Sequence, residues 1–71
     1  MEQSELQRAI EAILFAAGEP VEIAQLSHVL EADEKDIISA ADALSDELSF
    51  NRRGIRIVRL EKSYQMASSG E

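Results

Sequence analysis

The chain has 71 residues, with 14 acidic and seven basic side chains that give a formal net charge of −7 at pH 7. This excess of negative charge opposes nonspecific attraction to DNA and to anionic membranes, and the absence of cysteine excludes disulfides, thiol chemistry and zinc fingers. No apolar run reaches the ~18 residues of a membrane span and the acidic start is unlike a signal peptide, so we expect a cytoplasmic protein without a membrane partner.

Three segments have the apolar periodicity of helices that pack against a core. The first, 4–17, is expected to end at Gly18, because glycine readily adopts the left-handed conformation that closes a helix. Val21 is the expected site of a short strand, and further helices are predicted at 22–30 and 34–48. The inner positions of the three helices are Leu6, Ile10, Ile13, Leu14, Ala17, Ile23, Leu26, Leu30, Ile37, Ala41, Leu44 and Leu48.

Two strand-like segments, 55–60 and 64–67, follow the helices and are joined by a hairpin loop at 61–63. Three helices and then a hairpin is the order of elements in a winged helix-turn-helix. The predicted fold class is therefore α+β, a winged helix-turn-helix with three helices followed by a two-stranded wing. We expect this domain to span 1–67 and expect 68–71 to form a tail or the start of a linker.

The third predicted helix carries the wrong charge for reading DNA. At ~100° per residue, its outward positions are Lys35, Ser39, Asp42 and Asp46. A helix in the major groove presents Arg, Lys, Asn or Gln there, to pair with base edges and phosphates. Each aspartate would instead repel the phosphates by on the order of 1 kcal/mol. We therefore predict that this helix does not bind DNA and that the domain binds protein.

Five of the seven cations form a candidate basic wing within eleven residues, namely Arg52, Arg53, Arg56, Arg59 and Lys62. These side chains could contact a DNA backbone while the third helix stays away from it. They could equally pair with an acidic partner or with the acidic helix of another copy. In a third interpretation they form a solvated strand face that balances the domain's own acidic residues. The sequence leaves these alternatives open.

A second apolar surface is predicted outside the core. Phe15 falls almost opposite the inner face of the first helix, with Ala12 and Ala16 beside it, while Val58 and Leu60 point away from the inward residues of their strand. Exposed apolar patches tend to mark binding sites, so these five residues form our candidate protein interface. The alternative is that Phe15 packs under a loop and that a bulge redirects Val58.

Catalysis finds little support in the sequence. His28 is the single histidine, and no cysteine is present to complete a metal site or a nucleophilic pair, so we interpret it as a surface or boundary residue. Gly18, Gly54 and Gly70 are isolated, which excludes a glycine-rich phosphate loop. Tyr64 is expected to pack against the helices. We predict no enzyme activity, no catalytic residue, no metal and no cofactor.

Two stretches of the chain resemble a known family. Residues 10–21, with the sequence IEAILFAAGEPV, closely resemble the opening of segregation and condensation protein B of bacteria and archaea. Residues 54–58 (GIRIV) and 64–66 (YQM) resemble the wing of that family. Together the two stretches extend over nearly the whole chain. The loop at 61–63 departs from the pattern, because family members often carry a glycine-rich turn there.

The resemblance implies a non-catalytic subunit of a condensin-like complex that supports chromosome condensation and segregation. It implies a homodimer that binds a kleisin, segregation and condensation protein A, and through it an SMC-type ATPase, in the cytoplasm and associated with the nucleoid. It also implies two successive winged-helix domains, of which this chain would supply the first. The alternative function is a winged-helix transcription regulator that contacts DNA through the basic wing.

Overall fold

The structure, a computed structural model, describes residues 2–51 and 54–68. The order of its elements confirms the predicted winged helix-turn-helix, including the short strand after the first helix. The elements are α1 (Gln3–Ala17), β1 (Val21–Glu22), α2 (Ile23–Leu30), α3 (Glu34–Asn51), β2 (Ile55–Arg59) and β3 (Ser63–Ser68).

Local interactions set both ends of α1. At its start, the backbone N–H of Glu2 donates to Oε1 of Glu5 at 3.1 Å, which satisfies a backbone donor that the helix leaves unpaired. At its end, Gly18 has a φ of 68° and its N–H donates to the carbonyl of Leu14 at 3.5 Å. Glycine adopts this left-handed conformation without a steric penalty, and the predicted end of the helix is confirmed.

A left-handed residue also ends α2, but this residue is not glycine. Glu31 has a φ of 54° and is the only non-glycine residue with positive φ in the described ranges 2–51 and 54–68. The N–H of Ala32 donates to the carbonyl of Ser27 at 3.1 Å, and the Ser27 hydroxyl donates back to the carbonyl of Ala32. The connection from α2 to α3 is thus held by hydrogen bonds around one strained backbone position.

The third helix is three residues longer than predicted, since it ends at Asn51. Its first turn is closed by the N–H groups of Asp36 and Ile37, which donate to the carbonyl of Asp33 at 2.9 and 3.0 Å. The apolar periodicity predicts an end at Leu48, because Leu48 is the last residue of the inner face. The helical backbone continues beyond that face.

The sheet is antiparallel and has the strand order β1–β3–β2. In the central strand, Tyr64 pairs with Val21 of β1 on one side and with Arg59 of β2 on the other. The pairing of β2 with β3 advances one residue at a time, so the bulge considered for this hairpin does not occur. β2 ends one residue earlier than predicted, and Leu60 lies in the hairpin loop, where its N–H donates to the carbonyl of Ser63 at 2.8 Å.

The core lies between the inner faces of the helices and one face of the sheet. Tyr64 is only 1% exposed, which confirms that it packs against the helices. Ala17 is exposed, so its predicted inward position is wrong, because the apolar face of α1 extends past the packed core at the end of the helix. The buried residues are Leu6, Ile10, Leu14, Val21, Ile23, Leu26, Ile37, Ala40, Ala41, Leu44, Leu48 and Tyr64.

Glu31→Gly is expected to raise the free energy of unfolding by about 0.5–1 kcal/mol, because glycine removes the Cβ strain of a left-handed backbone. Thermal unfolding followed by circular dichroism should show a rise in Tm of roughly 4 °C. Glu31→Ala is the control, because it removes the same charge but keeps the Cβ atom. An equal rise in both variants would show that charge, and not backbone conformation, limits stability at this position.

Candidate protein-interaction site

The outer face of α3 is acidic and exposed, as predicted. Lys35, Ser39, Asp42 and Asp46 are all exposed. The first turn of the helix adds acidic residues, including Asp36. The helix that would enter the major groove therefore presents mostly carboxylates, which repel the phosphate backbone.

The two described arginines of the basic wing do not lie side by side. Arg56 and Arg59 are three positions apart on β2, so their side chains leave opposite faces of the sheet. Arg59 lies with its guanidinium carbon 5.8 Å from the centroid of the Tyr64 ring, within the range of a cation–π contact. One of the two cations is thus directed toward the domain's own core residue.

Lys62 lies outside β2, in the hairpin loop. It borders a pocket of about 300 Å³ that Glu22 and Glu34 also line, so the charge around it is mixed. Arg52 and Arg53, the remaining members of the predicted basic wing, lie outside the described residues. Within the part of the chain that the structure describes, the wing therefore forms no continuous basic strip.

Phe15 is the centre of an exposed apolar surface on α1. Its side chain is 73% exposed, so the interpretation that it packs under a loop is wrong. Ala12 and Ala16 on the same side of the helix are also exposed.

A groove separates this side of α1 from the sheet. It consists of two pockets of about 220 and 260 Å³ that share Phe15, Ile55 and Met66 as lining residues. We call this feature the α1–sheet groove, and its remaining lining residues are Arg8, Glu11, Ala12, Leu14, Gly18 and Ala67. The groove is therefore mostly apolar.

The five residues of the predicted interface do not form one surface. Met66 lines the groove and pairs with Ile57, whereas Val58 pairs with Gln65. Because successive side chains of a strand point to opposite faces, Val58 lies on the sheet face away from the groove. Leu60 is 41% exposed in the hairpin loop. The structure thus places Ala12 and Phe15 on the groove and separates them from the wing residues.

Sequence reasoning missed two residues of the groove and two further exposed apolar residues. Ile55 and Met66 line the groove, but only the packing of α1 beside the sheet brings them next to Phe15. Phe50 is 86% exposed and Val29 is 57% exposed. Phe50 lies about 200° around α3 from Leu48, so a helix extended beyond 48 would have predicted its outward position.

The charges at the edge of the groove are paired within the domain. The guanidinium of Arg8 is 3.1 Å from a carboxylate oxygen of Glu11 and donates a hydrogen bond to Oε1 of Glu47 at 2.9 Å. The second contact joins α1 to α3. Because Arg8 is half-exposed, each ion pair contributes at most about 1 kcal/mol. The groove thus has a nearly neutral rim on a strongly acidic domain.

Tyr64 is a buried residue whose hydroxyl makes no hydrogen bond to any group within 2–51 and 54–68. Burial raises the pKa of this hydroxyl above its usual value; Arg59 lowers it in part, and Asp42 on α3 raises it. An unpaired buried hydroxyl destabilises the folded state, because water bonds to it in the unfolded chain.

Tyr64→Phe is expected to leave the free energy of unfolding at pH 7 unchanged or to raise it by about 1 kcal/mol, because the hydroxyl it removes is unpaired. Tyr64→Ala is the contrasting variant and should lower that energy by about 3–5 kcal/mol, since the core loses the whole ring. Urea denaturation measures both. A loss of about 2 kcal/mol in Tyr64→Phe would mean that the hydroxyl has a hydrogen-bond partner.

The raised pKa of Tyr64 also predicts a pH dependence. As the pH rises above about 10, the unfolded chain releases the tyrosine proton before the folded domain does, which favours unfolding. This contribution is fully retained below that pH and is lost progressively above it. Urea denaturation between pH 8 and pH 11 should therefore show a smaller decline in stability for Tyr64→Phe than for the original chain, whereas parallel declines would contradict the assignment.

The described residues contain neither a metal-binding cluster nor a helix suited to crossing a membrane. Within 2–51 and 54–68, no three His, Asp or Glu side chains are grouped so that they could hold a metal ion. His28 is exposed on α2. None of the helices in the described ranges combines the length and the apolar composition that crossing a membrane requires.

These features define the chain as a winged-helix domain with an acidic third helix and an open, mostly apolar groove beside α1. The chain belongs to the family of the segregation and condensation complex subunit ScpB, whose sequence pattern it matches over residues 8–71. The resemblance seen in the sequence is thereby confirmed.

Two relatives with similar sequences are longer than this chain. Segregation and condensation protein B of Alkaliphilus oremlandii is 37% identical over 71 residues, which cover all of this chain and 38% of that protein. The protein of the same name from Caldanaerobacter subterraneus subsp. tengcongensis is 42% identical over 60 residues, which cover 84% of this chain and 36% of that protein. The chain thus spans well under half the length of these relatives.

Two solved structures share the fold. A crystal structure of a dimer of the ScpB N-terminal domain complexed with an ScpA peptide has a TM-score of 0.85 at 28% identity, and the match covers 93% of this chain and 83% of that one. ScpB from Mycobacterium tuberculosis has a TM-score of 0.88 at 23% identity over 99% of this chain and 44% of that one. The second likeness concerns the fold alone.

Proposed function

We propose that this chain is a non-catalytic protein-interaction domain of a condensin-like complex. In this role it forms a homodimer and binds the kleisin, segregation and condensation protein A, and through the kleisin an SMC-type ATPase. The observation that carries the proposal is the match to the solved ScpB N-terminal domain, which is a dimer and holds an ScpA peptide. The complex would act on the chromosome, in the cytoplasm and in association with the nucleoid.

The surface of the domain suits this role. The acidic face of α3 opposes the approach of DNA, so the fold is free to use its other surfaces for protein contacts. The α1–sheet groove offers apolar area with an exposed aromatic side chain, the kind of residue that dominates protein interfaces. Binding and self-association of this kind need neither a cofactor nor a reacting group.

The mass of the chain in solution tests the proposal directly. Sedimentation equilibrium is expected to give twice the 7.8 kDa of one chain, and an added peptide from the kleisin of the same organism should increase that mass further. A kleisin peptide of scrambled sequence is the control, because it keeps composition and charge. A chain that stays monomeric at all concentrations and does not bind the kleisin peptide would contradict the proposed function.

Contact with DNA through the basic wing is the alternative function, and the placement of Arg56 and Arg59 on opposite faces of the sheet disfavours it. We expect no measurable binding of duplex DNA at physiological salt, because the net charge is −7 and the described cations form no strip. Fluorescence anisotropy over a salt series measures this. Affinity that falls steeply with salt and is lost in Arg56→Ala with Arg59→Ala would support the transcription regulator instead.

A second double variant controls for charge in that experiment. Arg8→Ala with Lys35→Ala also removes two cations, but from α1 and α3. If both double variants lost affinity equally, the cause would be net charge and not the wing.

A further inference from the structure

We infer that the outer edge of β2 binds an extended segment of a protein other than the kleisin, in which apolar side chains alternate with acidic ones. The segment would add to the sheet as a fourth strand. Strand β2 lies at the edge of the sheet, because β3 separates it from β1. The inference goes beyond the proposed function, which leaves this edge without a ligand.

The hydrogen bonds of the hairpin show which backbone groups of β2 are open. In an antiparallel ladder, pairs of residues that exchange hydrogen bonds alternate with pairs that do not. The N–H of Leu60 donates to the carbonyl of Ser63 at 2.8 Å, so these two residues form a pair of the first kind. Counting back along β2, Arg59, Ile57 and Ile55 fall into pairs of the second kind, and their N–H and C=O groups point away from β3.

The other side of β3 agrees with this alternation. The N–H of Ile23 donates to the carbonyl of Lys62 at 2.9 Å, next to the pairing of β1 with β3. By the same count, the backbone groups of Tyr64 bond to β1 and not to Arg59. The outward groups of β2, three N–H and three C=O, make no hydrogen bond to the described residues 2–51 and 54–68. An extended segment can therefore bond to them as a new strand.

Charge favours acidic side chains on the outer face of the added strand. Arg56 is exposed on this face, and among residues 2–51 and 54–68 it forms no ion pair. Its neighbours on the same face are the uncharged residues Val58, Gln65 and Ala67. Neither β2 nor β3 contains an acidic residue, so a carboxylate on the added strand would meet this cation without a competitor from either strand.

The opposite sheet face favours apolar side chains. Ile55 and Ile57 lie on this face, two positions apart, and both are half-buried. Alternate residues of an added strand would lie beside them, and apolar residues there would remove further apolar area from water. Because Arg56 lies between these two isoleucines in the chain, the segment that fits carries an acidic residue between two apolar ones.

A second copy of β2 fits this edge poorly. Two paired β2 strands would hold Arg56 and Arg59 from each copy on one short ladder without any acidic residue. Like charges on adjacent strands are destabilising, and charged side chains are a common means by which edge strands avoid pairing with their own copies. The same cations attract a segment of opposite charge.

A short synthetic peptide that alternates valine with glutamate tests the inference, by nuclear magnetic resonance of the ¹⁵N-labelled chain. We expect the amide hydrogens of Ile57 and Arg59 to shift and to exchange more slowly with water, because they gain partners. Those of Arg56 and Val58 already bond to β3 and should change little. The peptide with lysine in place of glutamate is the control and should bind about tenfold more weakly. Equal binding of both peptides, or shifts confined to the α1–sheet groove, would overturn the inference.

Reversal of one charge on the chain gives a second readout. Arg56→Glu should weaken binding of the glutamate peptide about tenfold and strengthen binding of the lysine peptide, because attraction across the strands becomes repulsion. Lys35→Glu is the matched control, since it makes the same change in charge at an exposed residue of α3. Equal weakening in the two variants would contradict the assignment, because net charge and not the edge of β2 would then govern binding.

The kleisin peptide separates this inference from the proposed function. Binding of the glutamate peptide at the edge while the kleisin peptide stays bound supports a separate partner. If the kleisin peptide itself shifts Ile57 and Arg59 and displaces the glutamate peptide, the edge belongs to the kleisin and the separate partner is overturned. If the glutamate peptide leaves both amides unchanged while the chain dimerises and binds the kleisin peptide, this inference fails and the proposed function stands.

Discussion

The position of β3 between the other two strands is the constraint on which the rest of this domain depends. Tyr64 lies at the centre of that arrangement, because it pairs with both neighbouring strands while its ring is buried among the helices. Two residues further along the same face, Met66 reaches the side of the sheet next to α1. The groove is therefore a consequence of the same strand order that closes the core.

The surface of the domain has three regions that differ in charge. The outer face of α3 concentrates carboxylates, the hairpin carries scattered cations, and the groove beside α1 is nearly neutral. A winged helix that reads DNA needs the opposite distribution, with cations on its third helix. The charge of this domain is thus unlike that of a DNA-reading winged helix, and its groove is an exposed, mostly apolar surface.

Local signals in the sequence were sufficient for the fold but not for the site. Gly18 and the helical periodicity predicted the elements, and the acidic outer face of α3 followed from ~100° per residue. The predicted interface groups Phe15 with Val58 from their outward positions alone, whereas the packing of α1 beside the sheet places Phe15 on the groove and Val58 on the other sheet face. The sequence does not identify Ile55 and Met66 as groove residues, because only that packing brings them next to Phe15.

The two-residue strand β1 has a consequence for how the chain acquires its structure. Its pairing joins Val21 to Tyr64, so the sheet closes only when the hairpin of β2 and β3 has formed. Such distant pairing slows folding, because a long loop must be ordered before the contact is made. During synthesis, the helices alone would lack the Tyr64 ring that completes their core. The nascent chain would therefore reach its native state only after the hairpin has left the ribosome.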